Sequence, residues 1–407
     1  MTKKVYGPPF LFIKPLTTVG RATNLTINHK PLDYRPMDKE RSFLKQCLLS
    51  LGHEADEAVD FLKNQLRNRF EPHSPLEIIA YRGFGNLQRS TLRGRILAYR
   101  KPIDHDIESR WNNLQQSYRR FETDEVPNVL VEAKFGDALY EATSDEEGYF
   151  TFSFDTPSLD GATSFSLVLN LPERPSEYST VQAQVYTPPP NAQFGVISDI
   201  DDTVLKTNAT SLLQMMKLTL LESSRTRVAF SGVDEFYQAL HRQLNPVFYV
   251  SSSPWNLYDF LIDFMKLNRV VDGPLLLRDF GIDESKFIAG EHMEHKLTQI
   301  RGVLQTYPEL PFILIGDSGQ DDPEIYATIA AEFPDQILAC YIRDVSGAAR
   351  DSEVERTIKS LSNQGVDMLL VPDTLAAAVH ASANNWLPAE SLTAIKQAID
   401  ANRGDVS

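Results

Sequence analysis

Residues 194–204, FGVISDIDDTV, decide the fold of the second half of the chain. The run FGVIS is continuously apolar, as in strands buried on both faces of a parallel sheet, and acidic residues follow it at once. Four later runs, PVFYV, PFILIG, ILACYI and VDMLLV, repeat this pattern, each followed by polar or small residues and then by helical spacing. The sequence therefore predicts an α/β domain over residues 189–407, with a parallel sheet and helices on both faces.

The preceding part of the chain has a different pattern. Between residues 91 and 186 the short runs LRGRILAY, NVLVEAKF, YFTFSF, SFSLVLN and VQAQVY are separated by turn clusters such as SDEEG. This spacing predicts an all-β antiparallel sandwich over residues 89–188. Prolines 188–190 form a stiff linker, because proline cannot continue a central strand. Residues 1–88 are expected to form an N-terminal extension, with a helical hairpin where apolar residues recur at helical spacing over 37–70.

The charge of the chain argues against nucleic acid as a partner. Its 40 Lys and Arg against 55 Asp and Glu give a net charge of −15, whereas binding to phosphates needs a surplus of cations. The first 120 residues nevertheless carry a net charge of +9 and the remainder −24. Residues 81–101 contain six cations and no acid. This stretch could approach an anionic membrane, form a solvated strand face or dock onto the acidic half of the chain.

Other features of the composition favour a cytoplasmic protein. The only cysteines, Cys47 and Cys340, lie far apart in apolar contexts, so neither a disulfide framework nor a thiolate metal site is expected. The N-terminus is interrupted by prolines and lacks a cleavage site, which argues against a signal peptide. No apolar run is long enough to span a bilayer, so we expect no transmembrane segment. Peripheral attachment to membranes stays open, and the sequence does not indicate an oligomeric state.

Three predicted strand ends carry the residues that point to chemistry, because ligands of open α/β sheets bind at the carboxyl ends of the strands. Asp199, Asp201 and Asp202 follow the first run, and hard carboxylate ligands of this kind suit Mg²⁺. Residues 251–253, a serine triplet, follow the second run, and residues 317–322, DSGQDD, follow the third. Each cluster alone could be a turn or a helix cap, whereas together they predict a metal and phosphate site.

The segments DIDDTV, VSSSPWNLYDF, EHKLTQI and IGDSGQDDPEIY, in this order, resemble the four motifs of the haloacid-dehalogenase-like (HAD-like) phosphatase superfamily. More narrowly, they resemble the actin-patch phosphatidate phosphatase family. The likeness covers about residues 185–345 closely, and YRGFGN, LRGRIL and TSDEEGYF resemble the region that precedes the catalytic domain in that family. The resemblance implies a HAD-like Rossmannoid sheet and a Mg²⁺-dependent phosphoric monoester hydrolase that converts phosphatidate to diacylglycerol and phosphate.

The resemblance also implies a role for each catalytic residue. Asp199 would be the nucleophile that forms an aspartyl phosphate, and Asp201 would protonate the leaving oxygen and then activate water. An acid at this second motif position favours a phosphatase over the ATPases and dehalogenases of the superfamily. Thr203 would anchor the loop, Ser251 would hydrogen-bond the phosphoryl group, and Lys296 would supply a fixed positive charge.

For the metal, the resemblance implies a Mg²⁺ ion held by Asp199, Asp201, Asp317 and Asp321. Several alternatives stay open: Asp322 in place of Asp321, Lys286 in place of Lys296, and a shift of one or two positions within the serine triplet. His292 and His295 have a spacing that could bind zinc, but they lack a third soft ligand nearby. Arg343 and Asp344 could line the pocket mouth or form an internal ion pair.

The substrate class depends on the access to this site. The gaps after the first and second motifs are about 40 residues each by count, which leaves no room for a large cap domain. An open site favours phosphate on something large, such as a phospholipid at a membrane surface. The leucine-rich segment over residues 207–226 could contact an acyl chain or pack in the core. Competing hypotheses are a phosphatase for soluble phosphoesters or phosphoproteins, and a non-catalytic interaction protein with the same fold.

Overall fold

The computed structural model describes residues 75–99, 126–158, 161–204, 230–278, 289–362 and 365–404. Three sequence predictions lie outside these residues: the helical hairpin over 37–70, the leucine-rich segment over 207–226, and Lys286 as an alternative cation. The described residues form two sheets, one in each half of the chain. Every helix among them is too short or too polar to cross a bilayer.

The first sheet has eight strands in the order β1-β3-β2-β8-β7-β4-β5, with β6 paired to β3. Phe150, Phe152 and Phe154 are buried at every second position of β6, and Leu167 and Leu169 alternate in the same way on β7. This alternation directs one face of each strand into a common apolar core. The strands are β1 Leu76–Ala80, β2 Gly83–Gly85, β3 Arg89–Ala98, β4 Leu130–Phe135, β5 Ala138–Thr143, β6 Tyr149–Asp155, β7 Ser164–Asn170 and β8 Thr180–Tyr186.

The strand pairing corrects the sequence prediction in two respects. The pairs are antiparallel as predicted, except that β2 runs parallel to β8. Both β1 and β2 pair with β3, so two strands of this sheet precede residue 89. The sequence concealed β2 because its three residues, GFG, are typical of a turn. The division into a two-sheet sandwich and the three domain boundaries stay predictions.

The second sheet confirms the predicted α/β fold. Its six strands are all parallel, in the order β11-β10-β9-β12-β13-β14. Alternate residues of each strand enter two different apolar clusters: Ile313 and Ile315 pack in one, Phe312 and Leu314 in the other. The strands are β9 Gly195–Ser198, β10 Val247–Pro254, β11 Leu275–Arg278, β12 Phe312–Asp317, β13 Ile337–Arg343 and β14 Asp367–Val371.

Helices cover both faces of this sheet. Side chains of α1, α2, α6 and α7 enter the first cluster, and those of α3, α4 and α5 the second. The helices are α1 Val233–His241, α2 Tyr258–Leu267, α3 Ala289–Thr306, α4 Asp322–Glu332, α5 Ala348–Ser362, α6 Thr374–Ala383 and α7 Ser391–Gly404. A short 3₁₀ helix, Trp255–Leu257, joins β10 to α2. Because all six strands are parallel, their carboxyl ends and the residues that follow them lie along the same edge of the second sheet.

Three cations of the basic stretch contact the second half of the chain. The Arg82 guanidinium lies 2.7 Å from Asp272 Oδ1, and the Arg82 backbone N–H donates to the Tyr258 hydroxyl at 2.8 Å. Arg93 and Arg95 reach the residues just after β10. These contacts support docking onto the acidic half, one of the three interpretations of the stretch. Arg100 and Lys101, its last two cations, lie outside the described residues.

Candidate active site

The loop after β9 places Asp199 at the carboxyl edge of the sheet. The Asp199 backbone N–H donates to Ile315 O on β12, and its side chain is 1% exposed. The chain then turns sharply, with Asp202 in the left-handed region at φ 52°, a conformation that Asp tolerates better than most residues. Thr203 is buried, and its hydroxyl has no hydrogen-bond partner within the described residues. Its predicted role as the anchor of the loop stays a prediction.

Lys296 supplies a buried cation beside Asp199. Its Nζ lies 2.8 Å from Asp199 Oδ1 and 2.6 Å from Asp322 Oδ1, and the lysine side chain is 4% exposed. Burial alone would lower the pKa of Lys296, but the two carboxylates hold this pKa well above its usual value. Lys296 therefore lies buried between Asp199 and Asp322 and not on a solvated helix face, and its predicted role as the fixed positive charge stays a prediction.

Asp317 at the end of β12 and Asp322 at the start of α4 contribute two carboxylates, and the second differs from the predicted metal set. Asp317 Oδ1 accepts backbone N–H bonds from Gly319 at 2.7 Å and Gln320 at 3.0 Å. Asp322 Oδ2 accepts the Asp317 backbone N–H at 3.2 Å, and the Asp322 side chain is fully buried. Asp321 instead lies exposed at the N-cap of α4. Asp322 therefore takes the place in the site that the sequence interpretation gave to Asp321.

Asp199, Asp317 and Asp322 form an acidic cluster with ligand oxygens within 4.8 Å of one another. Within the described part of the chain, these three aspartates are the one set of Asp, Glu, His or Cys side chains that lie close enough together to hold a metal ion. His295 belongs to no such set. Asp199 Oδ2 and Asp317 Oδ2 are buried without a hydrogen-bond partner in the described chain. Three carboxylates against one lysine leave an excess of buried negative charge, and these oxygens fit a hard cation such as Mg²⁺.

The pKa values of the cluster have a physical cause in this crowding. Burial raises the pKa of Asp199 well above its usual range, with Lys296 opposing the shift. Burial and the neighbouring Asp322 raise the pKa of Asp317 to about 8. Both carboxyl groups therefore hold protons more tightly than in water unless a cation joins them.

Asp201 lies apart from the acidic cluster and is held by the serine triplet. Ser251 Oγ donates to Asp201 Oδ2 at 3.0 Å, and Ser253 Oγ donates to the same oxygen at 3.3 Å. The Ser253 backbone N–H in turn donates to Ser251 Oγ at 2.9 Å. Burial raises the pKa of Asp201, while the serine hydrogen bonds oppose this rise. Asp201, which the predicted metal set included, is thus not part of the acidic cluster. Ser253, which the sequence left open as an alternative position within the triplet, contacts Asp201 together with Ser251.

The arginine near the site makes no ion pair with Asp344. Arg343 Nη2 donates to Thr374 Oγ1 at 3.0 Å, and its guanidinium carbon lies 4.1 Å from the centre of the Phe230 ring. Arg343 pairs in register with Asp317 on β12, so it lies at the carboxyl edge of the sheet. Of the two interpretations of Arg343 and Asp344, the internal ion pair is therefore wrong, and a position at the site edge stays open.

The fold and the site together define an α/β domain with carboxylates and one buried lysine at the carboxyl edge of a parallel sheet. Residues 194–344 match the family described as phosphatidate phosphatase APP1, catalytic domain. Residues 194–344 are thus similar to the catalytic domain of the family that the sequence motifs indicated. The matched region contains every residue of the acidic cluster as well as Lys296, Asp201 and the serine triplet.

Two curated relatives are similar to parts of this chain. Phosphatidate phosphatase APP1 of Saccharomyces cerevisiae is 29% identical over 261 residues, which cover 61% of this chain and 44% of the yeast protein. An uncharacterized protein of Schizosaccharomyces pombe is 29% identical over 213 residues, 51% of this chain and 35% of that protein. The chain thus spans less than half the length of these relatives. The solved structure of a carbohydrate acetylesterase from Xanthomonas citri aligns over 78% of this chain and 71% of its own chain, at 10% identity. Its TM-score of 0.25 is too low to indicate a shared fold.

Proposed function

We propose that this protein is a Mg²⁺-dependent phosphatidate phosphatase that releases phosphate and leaves diacylglycerol. The observation that carries the proposal is the buried acidic cluster of Asp199, Asp317 and Asp322, with Lys296 paired to the first and the last of them. In an apolar interior these carboxyl groups hold protons unless a compensating cation allows all of them to ionise. The lipid substrate is suggested by the yeast relative, whose name specifies phosphatidate.

The proposed reaction proceeds in two steps. A carboxylate oxygen of Asp199 attacks phosphorus, the ester P–O bond breaks, and Asp201 gives its proton to the leaving alcohol oxygen. Water then attacks the phosphorus of the aspartyl phosphate and gives a proton to Asp201, and the bond between Asp199 and phosphorus breaks to release inorganic phosphate. This sequence restores both carboxyl groups to their starting states.

The surrounding residues support each step. Lys296 orients Asp199 and contributes positive charge where the phosphoryl oxygens gather. The hydroxyls of Ser251 and Ser253 orient the carboxylate of Asp201. When bound by Asp199, Asp317 and Asp322, Mg²⁺ would neutralise the negative charge of the phosphoryl group. The HAD-like arrangement, the aspartyl phosphate and action at a cytoplasmic membrane surface belong to this proposal.

Phosphate release from a panel of substrates tests the proposal. Phosphatidate in detergent micelles is compared with soluble phosphoesters and a phosphopeptide, each with Mg²⁺ and with EDTA, and Asp199→Asn serves as the blank. We expect Mg²⁺-dependent release that is fastest from phosphatidate and absent in Asp199→Asn. Turnover of soluble esters alone would retain the chemistry and exclude the lipid. Absence of turnover from every substrate would favour a non-catalytic interaction protein.

A further inference from the structure

The first sheet contacts the active-site segment that follows β10. Arg95 on β3 is only 6% exposed, although it is a long cation. Its Nη1 donates to Asn256 Oδ1 at 3.1 Å, and its Nε donates to Glu147 O at 2.9 Å. Asn256 lies in the 3₁₀ helix directly after β10, three positions beyond Ser253. One buried guanidinium therefore joins the first sheet to the end of an active-site strand.

Aromatic stacking surrounds this hydrogen bond. The Trp255 ring stacks on Tyr81 with centroids 4.1 Å apart, and Arg93 lies over the same Trp255 ring at 5.4 Å. Arg93 and Arg95 also lie over the Tyr149 ring, at 4.3 and 4.6 Å. Stacked cations and rings of this kind favour one defined position over a range of positions. The 3₁₀ helix is thus contacted by two arginines of β3 and by the residue after β1, while Tyr149 of β6 lies against both arginines.

A short chain of residues links the hydrogen bond between Arg95 and Asn256 to Asp201, the acid of the proposed reaction. Ser251 and Ser253 lie on β10, and both hydroxyls donate to Asp201 Oδ2. The position of Ser253 is set by the chain on both sides, and Pro254 connects it directly to the 3₁₀ helix. A shift of this helix would therefore move the serine hydroxyls, and the carboxyl group of Asp201 would lose its orientation.

We propose that Arg95 is a positioning residue for the phosphatase reaction, which acts through Asn256 and the serine triplet to orient Asp201 for protonation of the leaving oxygen. This inference rests on the proposed function. It makes the first sheet part of the catalytic apparatus although the family match begins only at residue 194. A misplaced acid slows the expulsion of a poor leaving group far more than that of a good one, since only the poor one needs the proton.

The test compares two substrates and four proteins. We measure kcat/KM for dioctanoyl phosphatidate, with an alkoxide leaving group, and for para-nitrophenyl phosphate, with a good leaving group. The proteins are the wild type, Arg95→Met, Asn256→Ala and the double variant. Arg89→Met is the matched control, because Arg89 lies on the same strand but is exposed and donates from Nε to Ser153 Oγ within the first sheet. Thermal unfolding verifies that each variant is folded.

We expect Arg95→Met to lower kcat/KM for phosphatidate by about tenfold or more and that for para-nitrophenyl phosphate by less than about threefold. Asn256→Ala should show the same selectivity, and the double variant should lose no more than the larger single loss. If Arg95→Met does not fold, Asn256→Ala, which leaves the Arg95 bond to Glu147 in place, decides alone.

Equal losses on both substrates would overturn the inference, because a merely structural role slows both reactions alike. A loss of the same size in Arg89→Met, or additive losses in the double variant, would also overturn it. A wild-type protein that hydrolyses neither ester would refute the proposed function itself, and the inference with it. The two failures are therefore distinguishable in a single experiment.

Discussion

Gly316→Ala is expected to disable the site without altering any of its chemical groups. Gly316 lies one residue before Asp317, and a Cβ added there would lie 2.8 Å from both Cβ and Cγ of Asp322. Ordinary van der Waals contact begins at 3.4 Å, so Asp322 or the backbone at residue 316 would have to move by about 0.6 Å to restore it. The Asp322 carboxylate is held by Lys296 Nζ at 2.6 Å and the Asp317 N–H at 3.2 Å, so this movement disturbs the whole cluster.

The size of the effect follows from this displacement. A misplacement of about 1 Å costs on the order of 100-fold in rate, so a shift of this size should lower kcat by roughly 10-fold to 100-fold. The Mg²⁺ concentration at half-maximal activity should rise as well, because one of three carboxylates is displaced. The assay is phosphate release from phosphatidate over a Mg²⁺ titration, with circular dichroism to verify the fold.

Gly302→Ala provides the matched control for this prediction. Gly302 lies in α3, and a Cβ added there meets nothing within 4 Å. It should leave kcat unchanged and stabilise the protein by up to about 1 kcal/mol, since Ala favours a helix over Gly. A Gly316→Ala variant with wild-type kcat and Mg²⁺ dependence would refute the assignment of Asp322 to the site.

Three further predictions concern the same carboxylates and lysine. Asp322→Asn should abolish Mg²⁺-dependent phosphate release, whereas Asp321→Asn should retain it. Loss of activity in Asp321→Asn, with activity retained in Asp322→Asn, would instead support Asp321 as the metal ligand. Lys296→Met should lower the free energy of unfolding by about 3–5 kcal/mol, because it leaves buried carboxylates without their cation; denaturant titration measures this loss, and a change below about 1 kcal/mol would contradict the buried ion pairs. In EDTA, the free energy of unfolding should fall between pH 5 and pH 8, because the pKa of Asp317 is raised to about 8 in the folded protein and the folded state binds the proton more tightly than the unfolded state. Thermal melts across this range should lose that slope with Mg²⁺ present, and stability that rises with pH in EDTA would contradict the crowding of the cluster.

The parallel sheet was largely predictable from the sequence, because its strands are buried on both faces. The apolar runs at β9, β10, β12, β13 and β14 are continuous and each ends in polar residues, which is a strong signal. β11, Leu275–Arg278, escaped prediction, since four residues after a proline are too few to establish a pattern. In the first sheet, the pairing of β2 depends on β3 and β8, which its own sequence does not reveal.

The site was predictable to the level of the residue cluster but not of each ligand. The positions of strand ends and the order of the motifs assigned Asp199, Asp317 and Lys296 to one site, and these residues do lie close together. The choice between Asp321 and Asp322 depends on the first turn of α4, and both spacings fit the motif. The sequence assigned Ser251 and left a shift within the serine triplet open; both Ser251 and Ser253 contact Asp201, because alternate residues of a strand share a face.

The role of the basic stretch depends on tertiary contacts that charge alone cannot reveal. A row of arginines suits a membrane, a solvated face or an acidic domain equally well by its pattern. The structure shows Arg82 paired with Asp272, and Arg95 bonded to Asn256, which lie about 160 to 190 positions further along the chain. Contacts over such distances in sequence leave no local signal. The result is that residues outside the matched domain line its active-site segment.

The most direct test of the central claim is to trap the covalent intermediate. The protein is mixed with phosphatidate and Mg²⁺, quenched in acid within milliseconds, digested and analysed by mass spectrometry. We predict one phosphoryl group on the peptide that contains Asp199, formed with Mg²⁺, absent in EDTA, and lost on longer incubation as phosphate is released. Phosphate release with no phosphoryl group on Asp199, or with the group on another residue, would contradict the account.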